Sequence, residues 1–493
     1  MPAFRQTLVM AAAAGLAATA GVMSPLAQEQ QAPSTKGMVV KGKAPVNETV
    51  LQVKLPRPQE ADLPNGLHLI VLEDHRAPLV TFQLLVRGAG GYFDPTDMPG
   101  LANFTAAVMR EGTAKRTSQQ ISEELERMAA TLTINAGMSA TEASVNGSTL
   151  AENFPKLVDI AADVLLNPSF ADKELALYKQ RTGAQLVQQR SQPGFLAAER
   201  FARVVYGNHP GGRVAPTPEA LNSVTREQLA EFHKAHYVPD FAALAVAGDT
   251  TMADVRRLVD ANLAAWKKAG VPEPSASEPP SPEAPRVFLV SRPNSVQTNL
   301  VVGTPGISRT SPDYDVLQVM NKIIGGGPTG RLFMHLREEK GYTYGAYSNV
   351  TATSYRGDWQ ASTQVRTEVT DPALRDLLAE LTTMKDQAVP EKDLQIAKQS
   401  MVASFALSLE SPQQMLGYYT TRWLYRLPAD YWDKYPERVM AVTPAQVQAA
   451  SQKYLDAKRV QIVAVGDASK VREALAKYGT LEVYDIEGKK ISE

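Results

Sequence analysis

Cysteine is missing from all 493 residues, which excludes disulfides, thiolate-bound zinc and a cysteine nucleophile. Histidine is nearly as scarce. His68, His75, His209, His233, His236 and His335 are the whole supply, so metal chemistry must draw on these six or on carboxylates. An excess of one charge is missing too, with 51 Lys+Arg against 52 Asp+Glu and a net charge of −1. That balance argues against a nucleic-acid partner and against an acidic solvating tail. Beyond the N-terminus no apolar run is long enough to cross a membrane. What is present is 44% hydrophobic residues, enough over this length for more than one core.

Arg5 precedes a small-residue apolar run from Leu8 to Met23, followed by Ser24-Pro-Leu-Ala-Gln28. This is the pattern of a secretory signal peptide, with residues 1–27 removed and a periplasmic setting expected. An uncleaved anchor is the alternative. Residues 28–58 lack a sustained period and read as a flexible lead-in. Pro64-Asn-Gly66 is a turn, and Leu67–Leu72 and Val80–Val86 are strands. Helices are predicted over 119–128, 153–166, 172–191, 196–205, 225–235 and 252–267, with strands over 130–135, 140–148 and 242–246. Proline density over 268–286 forbids regular structure and predicts an extended linker. The same grammar then resumes, with strands over 287–291, 297–303, 342–350 and 358–366. Helices are expected over 313–324, 331–339, 371–387 and 390–410, with more to about 430.

The letters repeat with the grammar. Ala245-Val-Ala-Gly-Asp249 matches Val463-Ala-Val-Gly-Asp467 at an offset of 218, and Thr225-Arg-Glu-Gln228 matches Thr443-Pro-Ala-Gln446 at the same offset. A shared register over two motifs implies two homologous α+β halves, 59–267 and 287–486, joined by the Pro-rich segment.

Pro99–Thr113 reads as a short helix between glycines. Asn103 and Ala107 lie four apart on one face, beside Ala106. Together with Leu63–Leu72, Gly325–Phe333 and Leu336-Arg-Glu-Glu-Lys-Gly-Tyr-Thr-Tyr344, this chain resembles the M16 (insulinase or pitrilysin) metallopeptidases, a family that includes the mitochondrial processing peptidase subunits. The resemblance implies two α/β sandwich domains in a clamshell around an extended peptide. It also implies an H-x-x-E-H zinc motif where this chain has Asn103, Ala106 and Ala107. The family's third ligand, a glutamate, aligns with Gln185. Asn and Gln carbonyls are poor zinc ligands, and alanine neither ligates nor takes a proton from water. All four roles are degenerate, so no zinc and no other cofactor is expected in this chain.

The resemblance further implies that Arg337 and Tyr342, with Tyr344 a second candidate, bind substrate backbone and stabilise an oxyanion. The alternative is an Arg337 ion pair with Glu338 or Glu339 and core tyrosines. His233 and His236 are the close histidine pair, read as a packed helix end rather than a metal pair. His68 is expected as a hydrogen-bonded core histidine, and His75 and His209 in loops. Gly325–Gly330 reads as a turn between helices, since the lysine of a phosphate loop is missing. The aromatic stretch Tyr418–Trp432 is core or partner interface.

The function expected is a non-catalytic subunit of a periplasmic M16 heterodimer. Its partner carries an intact H-x-x-E-H with zinc and general base, its substrates are peptides, and no membrane span remains after signal cleavage. A structural M16 homologue without proteolytic part is the alternative, and a self-sufficient zinc endopeptidase a third.

Overall fold

Apolar runs without polar alternation, such as Leu69–Leu72 and Ala242–Ala247, demand cover on both faces of a strand. The computed structural model describes residues 53–456 and 459–492, and within them that demand is met twice. The predicted signal segment, 1–27, lies outside these residues, as does most of the lead-in. In the first half β1 (Gln59–Asp62), β2 (His68–Glu73), β3 (Leu79–Arg87), β4 (Thr131–Ala136), β5 (Glu142–Leu150) and β6 (Ala242–Gly248) form one sheet. Its order is β1-β2-β6-β3-β5-β4. The second half holds β7 (Arg286–Ser291), β8 (Gln297–Pro305), β9 (Thr343–Val350), β10 (Asp358–Arg366), β11 (Gln461–Gly466), β12 (Thr480–Tyr484) and β13 (Lys490–Ser492). Its order is β13-β12-β7-β11-β8-β10-β9. Without the outer strands the two orders coincide, β2-β6-β3-β5-β4 with β7-β11-β8-β10-β9. The parallel pairs β2/β6 and β7/β11 correspond, as do the antiparallel pairs β3/β6 and β8/β11. The duplication read from the letters is a duplication of topology.

The first half's helices are α1 (Leu101–Met109), α2 (Ser118–Arg127), α3 (Phe154–Leu166), α4 (Asp172–Arg190), α5 (Pro193–Tyr206), α6 (Pro218–Ser223), α7 (Arg226–His236) and α8 (Met252–Asn262). The second half has α9 (Tyr314–Ile324) and α10 (Arg331–Phe333), which runs into a π-helical turn over Met334–Glu339. After it come α11 (Thr370–Asp386), α12 (Glu391–Ser408), α13 (Pro412–Leu424), α14 (Tyr435–Met440), α15 (Pro444–Tyr454) and α16 (Ala468–Ala476). The Thr-x-x-Gln match at offset 218 has a physical cause. Thr225 with Gln228, and Thr443 with Gln446, are capping boxes that open α7 and α15, each worth about 1 kcal/mol. The Gly-Asp match has one too. Gly248 has φ 131°, and a Cβ there would stand 2.0 Å from the Leu79 carbonyl oxygen, so only glycine closes that strand end. The predicted helix over 252–267 stops at Asn262. Trp266 instead turns into the first core, its indole N–H donating to the Tyr237 carbonyl at 2.8 Å.

Each sheet buries one face against its own helices and the other against a helix lent by the opposite half. Leu69, Val71, Leu244 and Val246 face the first half's core, whereas Ile70, Leu72, Ala245 and Ala247 pack with Met415, Leu416 and Tyr419 of α13. In the second half Val287, Leu289, Ile462 and Ala464 face inward. Phe288, Val290, Val463 and Val465 pack with Leu196, Phe201 and Val205 of α5. Helices α5 and α13 open at Pro193 and Pro412, nearly the repeat offset apart, so equivalent helices are exchanged. This places the aromatic stretch Tyr418–Trp432: Tyr418 and Trp432 pack in the apolar cluster between the halves, against the first sheet's outer face.

The Pro-rich segment has no regular structure, as expected, but it is tied down along its length. Ala269 and Gly270 donate to the Asp240 carboxylate, Ser277 N–H donates to the Tyr92 hydroxyl, and Arg356 donates to the Pro279 and Pro280 carbonyls. Glu273 pairs with Arg87 of the first half and Arg426 of the second. The linker is a strap rather than a free spacer.

Where α5 meets β10, the Tyr206 hydroxyl donates to Asp358 Oδ2 at 2.6 Å, and Asp358 Oδ1 is buried without a partner. Burial pushes this carboxyl up to about 6. The folded state therefore holds its proton more tightly than the unfolded chain. Its favourable contribution is complete below the ordinary carboxylate value of 3.8 and is lost as pH rises through about 6. Asp358→Asn is expected to remove that segment of the stability profile. The difference in melting temperature between wild type and variant, followed from pH 4 to 8, should drift in the variant's favour as pH rises. A difference independent of pH would refute the assignment.

Candidate functional site

Helix α1 is positioned from its N-terminus. Asp94 accepts the backbone N–H groups of Gly100 and Ala102, both at 2.7 Å, so one carboxylate satisfies two donors that helix geometry leaves open. Arg213 donates to the carbonyls of Gly91 and Asp94 and fixes the approach to the helix. Gly100 has φ 107°, and a Cβ there would stand 2.7 Å from Pro216 and 2.9 Å from the Phe104 ring. Phe104, Thr105, Ala106, Val108 and Met109 are all buried. The helix is a core element with one accessible edge.

On that edge Asn103 is hydrogen-bonded through both its amide nitrogen and its amide oxygen. Its amide nitrogen donates to the Ala136 carbonyl on β4 at 3.2 Å, and its oxygen accepts the Tyr178 hydroxyl from α4 at 3.3 Å. The Tyr178 ring also meets Phe104 edge-on at 6.1 Å. Ala106 is 2% exposed and belongs to the core, while Ala107 is half-buried. Gln185 is exposed on α4. Two alanines supply no lone pair, and the one amide oxygen that faces α4 is already spent on a phenol. These residues do not fit a zinc ion. Among the described residues no group of three or more His, Asp or Glu side chains gathers as a metal site elsewhere. The residue that sequence reading missed is Tyr178. It lies seven positions before Gln185, two helical turns along α4. A tyrosine on a helix carries no signal of its own until its partner is known.

The histidines divide differently from expectation in one case. His68 is no core residue. It starts β2 with its two ring nitrogens 2.8 Å from Asp62 and 3.2 Å from Glu60, and the Glu60 hydrogen bond raises its pKa. His233 and His236 turn to separate carbonyls, Leu165 and Gly88, each at 2.7 Å. Burial lowers both, as befits packed neutral rings. His75 lies in a loop beside Asp249 at 2.6 Å. His209 joins an aromatic group with Tyr92, Tyr206 and Tyr355 at the seam between the halves.

In the second half Gly325–Gly330 is the expected turn, its Gly325 and Gly326 N–H groups bonded to the Asn321 carbonyl. Helix α10 then widens into the π-helical turn that carries Arg337. The Lys340 N–H reaches back five residues to the His335 carbonyl, a geometry that accommodates one extra residue and recurs at functional sites. The Arg337 guanidinium stands 4.8 Å over the Phe333 ring and donates to Glu338 at 2.6 Å. Its side chain is 40% exposed. Tyr342 is half-buried against the second core, and Tyr344 is 90% exposed on β9. Among the described residues no hydrogen bond or ion pair joins Arg337 or Tyr342 to Asn103 or Gln185.

Residues 69–213 match the insulinase (peptidase family M16) profile, and residues 223–401 match the peptidase M16 inactive domain. Together these cover more than half of the chain. An uncharacterised zinc protease of Streptomyces coelicolor is 23% identical over 431 residues, spanning 84% of this chain and 92% of that protein. One from Bacillus subtilis is 25% identical, spanning 70% and 83%. Among solved structures, a peptidase M16 inactive domain from Pseudomonas fluorescens superposes with a TM-score of 0.78 at 26% identity, covering 83% of this chain and 98% of that one. A Helicobacter pylori protease gives 0.77 at 16% identity over 83% and 100%, a likeness of fold. The relatives named for zinc contrast with the residues at 103, 106, 107 and 185 in this sequence. With two halves of one topology and both M16 profiles matched in order, the chain belongs to the M16 (insulinase) peptidase family.

Proposed function

We propose that this chain is the non-catalytic, substrate-binding subunit of a periplasmic M16 peptidase heterodimer. One observation carries the reading. Every residue of the zinc site is replaced, yet Arg337 is held on an accessible π-helical turn with a buried aromatic ring beneath it. In this reading the sister M16 chain brings H-x-x-E-H, and with it the metal and the general base. This chain brings a planar guanidinium able to grip a peptide carbonyl. Tyr342 and the more accessible Tyr344 are phenols able to donate to the same peptide. A structural M16 chain without part in proteolysis is the second reading, favoured by the Arg337–Glu338 pair.

The test is assembly and metal content. Co-expression with an M16 chain carrying intact H-x-x-E-H should give a stable complex that cleaves peptides and holds a single zinc. The isolated chain should show no stoichiometric zinc by metal analysis and no shift in melting temperature with chelator. Stoichiometric zinc in the isolated chain, with chelator-sensitive cleavage, would overturn the reading of α1. Failure of any such M16 chain to bind would favour the structural reading.

A further inference from the structure

The duplication supplies an internal control for the surface around Arg337. Strands β5 and β10 correspond position for position, since Arg87 faces Glu142 and Pro305 faces Asp358 at their starts. Along them the edge strands β4 and β9 can be aligned. Thr133 of β4 faces Asn146, and Tyr347 of β9 faces Ser362, the equivalent residue. Asn135 and Asn349 correspond in the same way, opposite Ser144 and Gln360. The exposed side of β4 carries Thr131, Thr133 and Asn135, the polar residues an uncovered edge ordinarily shows. At the Thr133 position the second half carries an aromatic residue, 43% exposed.

Tyr347 is also built in. Its ring packs on Phe333 at 5.5 Å, tilted by 40°. Phe333 is itself buried and lies under the Arg337 guanidinium at 4.8 Å. Gly345 stands two residues before it on the same side of the strand, where a Cβ would come within 2.6 Å of the Tyr347 ring. Glycine there lets the ring lie down along the strand. The result is a continuous row, Gly345, Tyr347, Phe333, Arg337, in which an accessible aromatic face leads to an accessible cation.

We propose that Tyr347 is a specificity shelf: it receives an aromatic side chain of a peptide whose backbone carbonyl is held by Arg337. The occupant follows from the row's chemistry. Among the described residues the one ring contact of Tyr347 is with Phe333, so its remaining phenol face favours an apolar or aromatic group, and the guanidinium beside it favours a carbonyl or carboxylate oxygen. An extended peptide offers both within a residue or two. The shelf rests on the reading of Arg337 as a peptide-holding residue, and the experiment separates the two.

The probes are two capped pentapeptides, Ac-Ala-Ala-Phe-Ala-Ala-NH2 and Ac-Ala-Ala-Ala-Ala-Ala-NH2, titrated into the full purified chain by ligand-observed NMR. The phenylalanine peptide should bind about five-fold tighter. Tyr347→Thr, which installs the residue of the first repeat, should abolish that preference and leave the alanine peptide unchanged. Tyr347→Phe should retain the preference. Arg337→Ala should weaken both peptides in parallel. Equal binding of the two peptides by wild type, or a preference that survives Tyr347→Thr, overturns the shelf while a parallel loss in Arg337→Ala leaves the peptide-holding reading in place. Binding indifferent to Arg337→Ala overturns that reading and the shelf with it, as does a chain that binds neither peptide.

Discussion

Arg337→Ala is expected to lower kcat/KM of the assembled M16 complex by about 10²–10³-fold, the usual consequence of removing one donor to a developing oxyanion. The loss should fall on KM as well as kcat, because the guanidinium holds the peptide carbonyl in the ground state and binds it more strongly as charge develops during the reaction. Arg337→Lys should recover little, since an ammonium lacks the planar fork and rests differently on an aromatic face. In the free chain Arg337 leans on Phe333 and pairs with Glu338 at 2.6 Å. Both side chains of that pair are more than a third exposed, so the ion pair is weak and gives way to a peptide oxygen at small cost. Tyr342→Phe and Tyr344→Phe each remove a single hydroxyl and should cost less, about ten-fold for whichever contacts the peptide. Tyr344 is 90% exposed and reaches solvent outright, whereas the Tyr342 ring packs on the second core. Steady-state cleavage of one fluorogenic peptide by the wild-type complex and the four variant complexes decides the matter. Unchanged turnover in Arg337→Ala would leave the chain a structural M16 member.

Much of the fold was legible because strand and helix starts write themselves in few letters. Uninterrupted apolar runs marked β2, β6 and β7, and the Thr-x-x-Gln letters at Thr225 and Thr443, read from the sequence only as a repeat, prove to be capping boxes. A fixed offset between them gave the duplication. What could not be read was which surface each apolar face would meet. The stripe of Leu196, Phe201 and Val205 announces a buried helix, but nothing in it says that the sheet beneath belongs to the other half. Periodicity reports burial and is silent about partners.

The same limit held at the site. That Asn103, Ala106, Ala107 and Gln185 cannot form a zinc centre follows from residue types alone. That Asn103 spends its oxygen on Tyr178 needed the distance between α1 and α4. His68 was misplaced for a related reason. A histidine at the head of an apolar strand looks buried, yet the first strand position lies at the sheet's rim. There Glu60 and Asp62 of the adjoining edge strand reach both ring nitrogens. Proline content correctly denied the linker regular structure, but it could not foretell the hydrogen bonds that strap it to both halves.

Exchange of helices makes the seam between the halves sensitive to substitution. Phe201 is 3% exposed on α5, and its ring fills the space that a side chain at 303 would occupy, since a Cβ on Gly303 would stand 2.4 Å from it. Around it lie Phe288, Val301 and Val463 of the second sheet. Phe201→Ala therefore removes a buried ring packed between α5 and the second sheet and leaves a cavity there. The expected cost is about 3–5 kcal/mol, against within about 0.5 kcal/mol for Leu407→Ala, a surface residue of α12. The reciprocal contact of α13 on the first sheet should survive. The variant's second half should then loosen first, and its far-UV and near-UV unfolding transitions in urea should separate where wild type's coincide. A midpoint within error of wild type, or an equal loss in Leu407→Ala, would show that the halves are held together elsewhere than at α5. With the seam intact, each sheet depends on a helix it does not encode beside it, so the halves fold as one unit. In the proposed heterodimer that rigidity would hold Arg337 at a fixed position toward the partner subunit.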